Sequence, residues 1–170
     1  MNQVLEQWNR LSPEDAEKDI LRCCGSAAWA RALASRRPFE NEDFLLAASD
    51  EIWRGLRPSD WREAFSQHPR IGERKAPPAA SGQSAAWSAE EQQGVGSAPE
   101  SIREALAEAN REYERRFGRT FIVCARGKLA AEMLDILRHR LHNDEATELG
   151  EAAEEQRKIT NLRLKKWLAT

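Results

Sequence analysis

The sequence predicts an all-α fold: a single-domain bundle of roughly eight or nine helices with one extended connector crossing its core. Three observations predict it. Apolar residues recur at three- and four-residue spacings along most of the chain, the period of a helix with one buried face. Polar start signals precede those stretches, as at Ser12-Pro13-Glu14-Asp15, Ser26, Asn41 and Pro58-Ser59-Asp60. The one run that reads as a strand, Phe121-Ile122-Val123-Cys124, has no second run to pair with, and an unpaired buried strand leaves its backbone groups unmet.

The elements follow in order. Ser12 is a cap, Pro13 sits at the first helical position and Asp15 at the third. Ala16, Ile20, Leu21 and Cys24 then share a face, and Gly25 is expected to end the run. Ser26 opens a short helix carrying Trp29, Ala32 and Leu33, which Arg37-Pro38-Phe39 breaks. Asn41 to Trp53 reads as a helix with Phe44, Ala48 and Ile52 in register. A short helix from Pro58 buries Trp61, Ala64 and Phe65, and His68 follows at its end. Pro69 disfavours helical geometry at His68, so the histidine is expected at a helix-to-loop boundary.

Residues 74–87, ERKAPPAASGQSAAW with its flanking Glu73, turn to alanine, proline, serine and glycine and read as a candidate mobile loop within the 1–170 domain. Ser88 and Glu91 form a capping-box pattern, which would place Glu91 and Gln92 in the first turn of a helix kept short by Gly94 and Gly96. Ser101 to Phe117 is a helix with Ile102, Leu106, Ala109, Tyr113 and Phe117 as its stripe, Asn110 beside it, and Gly118 as its C-cap. Phe121–Cys124 is then the extended connector, whose free N–H groups need solvent or a ligand. Lys128 to Leu141 is a helix burying Leu129, Met133, Ile136, Leu137 and Leu141; the last helix runs from about Glu145 to Leu168. The stripe of that helix includes Leu149, Ala152, Gln156, Ile159, Arg163, Leu164 and Trp167.

Composition narrows the function. The chain has 170 residues, 41% hydrophobic and 32% charged, with a formal net charge of -2. That length supports a real core, and the charge leaves no broad electrostatic footprint for nucleic acid. No apolar stretch is long enough to span a membrane. Three cysteines, two of them adjacent, make no disulfide framework. Reduced surroundings and a start, MNQVLEQWNRL, without a basic segment leading into an apolar run make a cytoplasmic setting the expectation.

A few residues stand out chemically. His68 lies between Phe65 and the Pro69-Arg70-Ile71-Gly72 turn; a core or capping role is the plainer account, and a catalytic imidazole at a rigid loop is the sharper one. Arg163 and Gln156 are polar on an apolar stripe, and a buried arginine must pair with a carboxylate of the protein or of a ligand. Glu91 has its capping alternative; most other acids read as solvated faces. Asp135, His139 and His142 share a helix face but lack a fourth ligand, so no metal site is expected. Cys124 reads as a small buried residue, and Gly127-Lys128 lacks the spacing and hydroxyl of a phosphate loop.

An ordered set of motifs resembles the 2-oxo-4-hydroxy-4-carboxy-5-ureidoimidazoline (OHCU) decarboxylases of urate degradation. It comprises Cys23-Cys24-Gly25-Ser26 with Trp29-Ala30, Arg37-Pro38-Phe39, His68-Pro69-Arg70-Ile71-Gly72 and Ser88-x-x-Glu91-Gln92. It continues with Asn110-x-x-Tyr113-x-x-x-Phe117-Gly118, Phe121-Ile122-Val123-Cys124-Ala125-x-Gly127-Lys128, Arg140-Leu141-x-Asn143 and Ile159-Thr160-x-Leu162-Arg163-Leu164. The resemblance implies an all-helical homodimer, without metal or organic cofactor, that forms S-(+)-allantoin and carbon dioxide from a small anionic ureidoimidazoline. It implies His68 and Glu91 as catalytic groups. It implies substrate contacts from Arg163, Gln92, Ser88 and the backbone of Phe121, Ile122, Val123, Cys124 and Ala125. One departure is Leu129, where the family often has serine. Two other classes remain open beside it: a helical interaction module, and the hydrolase of the preceding intermediate.

Overall fold

The computed structural model describes residues 2–73 and 81–170. Among them ten helices run in order with no strand: α1 (Gln3–Arg10), α2 (Pro13–Ile20), α3 (Ala27–Ser35), α4 (Glu42–Arg54), α5 (Pro58–Phe65), α6 (Gly82–Glu91), α7 (Gln93–Gly96), α8 (Glu100–Phe117), α9 (Ala130–Arg140) and α10 (Glu145–Leu168). The all-α class read from the sequence is the class adopted. The chain divides into two compact units, Met1–Ala64 with Arg157–Thr170, and Phe65–Gln156.

The first unit is organised by indoles. Trp8 and Trp29 are fully buried, and each indole N–H finds an acceptor: Trp8 donates to the Ala16 carbonyl at 3.0 Å, and Trp29 to Ser49 Oγ at 3.1 Å. Trp167 packs edge-on against Trp8 at 5.6 Å between centroids and donates to Asp19 Oδ2 at 3.2 Å. Burying a large ring while satisfying its single donor is what makes tryptophan tolerable in a core. The start signals act as read: Ser12, Ser26 and Asn41 accept from the backbone N–H of Asp15, Trp29 and Phe44. α1, which the sequence reading passes over, is capped the same way by Asn2, whose Oδ1 accepts from Val4 N and Leu5 N.

The second unit is built on α8 and α9, which enclose the connector. Leu106, Ala109 and Tyr113 of α8 and Met133, Leu134 and Leu137 of α9 form one core with Phe121, Val123 and Ala125 of the connector. Gly118 caps α8 with φ 66°, the left-handed value that glycine takes at no steric cost. The first part of α10, up to Gln156, belongs to this unit.

Several details differ from the sequence reading. Ser88 and Glu91 do not open a helix: α6 starts earlier, capped by Ser81, whose Oγ accepts from Ser84 N at 3.1 Å. Ser84, Trp87 and Ser88, at i, i+3 and i+4, are its buried face, so the alanine-rich stretch carries a helix that its small residues disguise. Of the candidate loop 74–87, residues 74–80 lie outside the described residues and Gly82 onward is helical. Phe44 is 57% exposed, its buried place in α4 taken by Leu45, and Leu129 is 60% exposed just before α9 rather than inside it. α2 ends at Ile20, a turn before Gly25.

Candidate active site

The loop after α5 is fixed from several sides. The His68 N–H bonds the Phe65 carbonyl at 3.2 Å, so the ring leaves the helix end at a defined place. Arg70 to Glu73 form a β-turn, closed by Glu73 N to Arg70 O at 3.1 Å, with Gly72 at φ 94°. A positive φ at that third position is the type II requirement, which explains the glycine. Asn110 of α8, buried, donates to the Ile71 carbonyl at 2.9 Å. Arg70 pairs with Glu114, through an Nη2–Oε2 contact of 3.0 Å, and with Glu73 at 3.0 Å. Held by these anchors, His68 places Nε2 at 2.6 Å from Gln156 Oε1 on α10. An amide oxygen only accepts, so Nε2 donates. Gln156 is fully buried. The sequence marked it as polar on an apolar stripe, yet its link to His68 crosses 88 positions and left no local signal.

α6 delivers the other polar groups. Ser88 is buried within its last turns, Glu91 is its final residue and half-buried, and Gln92 caps it. Gln92 Oε1 accepts from Gly72 N at 3.0 Å, tying the end of α6 to the histidine loop. Beside this tie lies a cleft of about 320 Å³ lined by Gly72, Glu73, Gln92, Val95 and Arg103 among others. Of the residues the sequence nominated for the site, Gln92 alone lines that cleft.

The connector is extended and buried from Phe121 to Ala125. Its carbonyls are occupied: Ile122 O accepts from Arg140 Nη1 at 2.6 Å, and Cys124 O from Lys128 Nζ at 2.7 Å. Its N–H groups meet no acceptor among the described residues. Burial pushes the Cys124 thiol up, opposed by the Lys128 charge and reinforced by Glu155 and Glu91.

Sequence reasoning missed the anchor behind the connector. Arg140 and Glu148 are both buried and paired, with Nε to Oε1 and Oε2 distances of 2.9 and 3.2 Å. Tyr113 donates its hydroxyl to Glu148 Oε1 at 2.6 Å, and Asn143 Nδ2 to Oε2 at 3.0 Å. Burial and the neighbouring carboxylate push the Tyr113 phenol up, so it remains the donor. Arg140 appeared only as part of a motif, and Glu148 among the solvated acids.

Arg163 belongs to the first unit, on the distal part of α10, and is 2% exposed. In that unit burial pushes the Cys24 thiol up to about 11, against the Thr160 side chain, the Ser26 backbone and the Arg163 charge. His139 and His142 are exposed, and among the described residues no group of three His, Cys, Asp or Glu is arranged to hold a metal ion.

Fold and site define a class: an all-α chain whose imidazole, buried amides and carboxylate suit proton transfer on a small polar molecule. Residues 9–165 match the family model described as OHCU decarboxylase, and the chain belongs to that family. It is 35% identical over 156 residues to the uric acid degradation bifunctional protein TTL of Arabidopsis thaliana, covering 92% of this chain and 48% of that protein. It is 33% identical over 168 residues to the 2-oxo-4-hydroxy-4-carboxy-5-ureidoimidazoline decarboxylase of Amia calva, covering 94% and 91%. A crystal structure of OHCU decarboxylase determined in the presence of (S)-allantoin superposes with a TM-score of 0.76 at 34% identity, covering 89% of this chain and 98% of that one. The chain thus spans about half the length of the Arabidopsis relative.

Proposed function

We propose that this chain decarboxylates 2-oxo-4-hydroxy-4-carboxy-5-ureidoimidazoline to (S)-allantoin and carbon dioxide. The observation that carries the reading is His68, fixed at a helix end with Nε2 committed to Gln156, in a chain whose family match spans residues 9–165. The Amia relative is named for this reaction, and the superposable structure was determined with (S)-allantoin.

The substrate supplies its own electron sink. Its hydroxyl and carboxylate share one ring carbon, beside a C=N bond. As the carboxylate leaves as carbon dioxide, its bonding pair forms a C=C bond between the two ring carbons. The C=N pair moves onto nitrogen, which takes a proton. Loss of the hydroxyl proton then forms the carbonyl, and the neighbouring carbon takes a proton on one face. The net reaction consumes one proton and needs no redox step.

His68 meets the substrate hydroxyl and its adjacent carboxylate and serves as acid/base for that oxygen. Glu91 orients ureido or ring N–H groups and manages proton placement, and Ser88 faces the same group. Gln92 reads an amide edge once it exchanges its bond to Gly72 N for substrate. Arg163 binds a carboxylate or carbonyl oxygen through paired donors, and the connector N–H groups hold the oxygen on which negative charge grows. A homodimer and a cytoplasmic setting belong to the same reading, the latter supported by three free buried cysteines.

The test is turnover of substrate generated in situ by urate oxidase and hydroxyisourate hydrolase, for the wild-type protein and folded His68→Ala. Acceleration over spontaneous decay that is lost in the variant supports the reading. A folded wild-type protein that gives none overturns it in favour of an interaction module, and a folded variant with near-normal turnover removes His68 from the chemistry.

A further inference from the structure

We infer that Arg140 is a positioning residue: by holding the Ile122 carbonyl it aims the Val123 N–H at the substrate. This rests on the reading that connector N–H groups hold substrate.

A trans peptide unit points its C=O and its N–H in opposite directions. Fixing the Ile122 carbonyl on Arg140 Nη1 at 2.6 Å therefore turns the Val123 N–H away from Arg140. The Cys124 carbonyl, fixed on Lys128 Nζ at 2.7 Å, does the same for the Ala125 N–H. Val123 and Ala125 are 3% and 5% exposed, too buried for solvent to satisfy those donors freely. Two buried N–H groups, each set by a cation behind its own peptide plane, are the pattern of donors arranged in advance for a developing oxyanion.

The chemistry behind Arg140 suits this task better than it suits stability. The guanidinium fork gives Nε and Nη2 to Glu148 and Nη1 to the connector, and its Cζ lies over the Phe121 ring, 4.6 Å from the centroid. Tyr113 and Asn143 fill further acceptor sites of Glu148. A buried ion pair is often no more stabilising than apolar residues of similar volume, but a fully satisfied network holds its members in one geometry. Lysine in place of Arg140 keeps the charge facing Glu148 and loses the fork.

The experiment compares wild type, Arg140→Lys and the double variant Arg140→Met with Glu148→Met, which leaves no unpaired buried charge. Each is read by kcat and KM on substrate generated in situ, by thermal unfolding, and by amide hydrogen exchange at Val123 and Ala125. In folded variants kcat should fall roughly tenfold to a hundredfold with KM little changed, since misplacing a reacting group by about 1 Å costs on that order. Exchange at the two amides should quicken. Folded variants with wild-type kcat overturn the inference. Should neither variant fold, the wild-type amide resonances decide: on titration with (S)-allantoin those of Val123 and Ala125 should shift, and unmoved resonances overturn the inference. A folded wild-type protein without turnover overturns the functional reading itself, whereas normal wild-type turnover with unaffected variants overturns only the role of Arg140.

Discussion

Gly94 of α7 lies against the turn that follows the connector, and replacing it with alanine should damage both stability and turnover. A Cβ built at Gly94 falls well under 3.0 Å from the Lys128 carbonyl oxygen, a separation real Cβ atoms essentially never show, and 3.4 Å from its carbonyl carbon. The obstacle is backbone, so α7 or the turn must move. Overpacking of this kind costs about 1–3 kcal/mol. Alanine's better helix propensity returns about 0.5–1 kcal/mol. The net loss should lower Tm by several degrees, at roughly 2–4 °C per kcal/mol for a chain of this length. Lys128 also holds the Cys124 and Ala125 carbonyls, so a displaced turn disturbs the connector, and kcat should fall at temperatures where the variant is fully folded. Thermal unfolding by far-UV circular dichroism, paired with turnover, measures both. Gly96→Ala, with nothing within 4 Å of its Cβ, is the control: it gains the same helix propensity without the obstruction, so kcat should hold and Tm should not fall. A Gly94→Ala protein with wild-type Tm and kcat would refute the reasoning.

Other expectations follow from single features. Leu129 precedes α9 as an N-cap without a side-chain cap bond and is 60% exposed, so Leu129→Ser should add about 1 kcal/mol; a melt that does not rise contradicts it. Glu148→Gln strands the buried Arg140 charge and should cost about 3–5 kcal/mol, read by urea titration; a midpoint near wild type would show that the pair is not needed for the fold. The Thr147 N–H, and then the Thr147 side chain, hold the Asp144 carboxyl below its ordinary 3.8. Since the folded value is the lower one, the stabilisation is complete above the unfolded value and is lost as pH falls through the folded one. Asp144→Asn should therefore lose less stability on acidification below about pH 4, and identical acid profiles would deny Asp144 that role. Cys24, pushed up to about 11 by burial, should resist thiol reagents at neutral pH until the protein unfolds; prompt labelling of folded protein would be the contrary result.

Legibility in the sequence followed how local each cause is. α10 was legible to its ends, Glu145 and Leu168, because a long apolar stripe marks it. Gly118 was legible because a left-handed cap demands glycine. The connector was legible as extended, since its apolar run had no pairing partner. α6 was misread because Ser88 and Glu91 match a cap by spacing alone, while the acting cap, Ser81, precedes a run of small residues with weak periodicity. The surroundings of His68 and Arg140 were hidden for a different reason. Gln156 meets His68, and Glu148 meets Arg140 and Tyr113, through tertiary packing. A buried glutamate in an acid-rich helix looks like its exposed neighbours until the fold brings its partners to it.

The most direct test of the central claim is the optical activity of the product. Substrate would be generated in situ by urate oxidase and hydroxyisourate hydrolase, the folded protein added, and allantoin followed by circular dichroism. The (S)-allantoin signal should grow rapidly, because protonation on one face fixes the configuration. Slow formation of optically inactive allantoin at the spontaneous rate would contradict it.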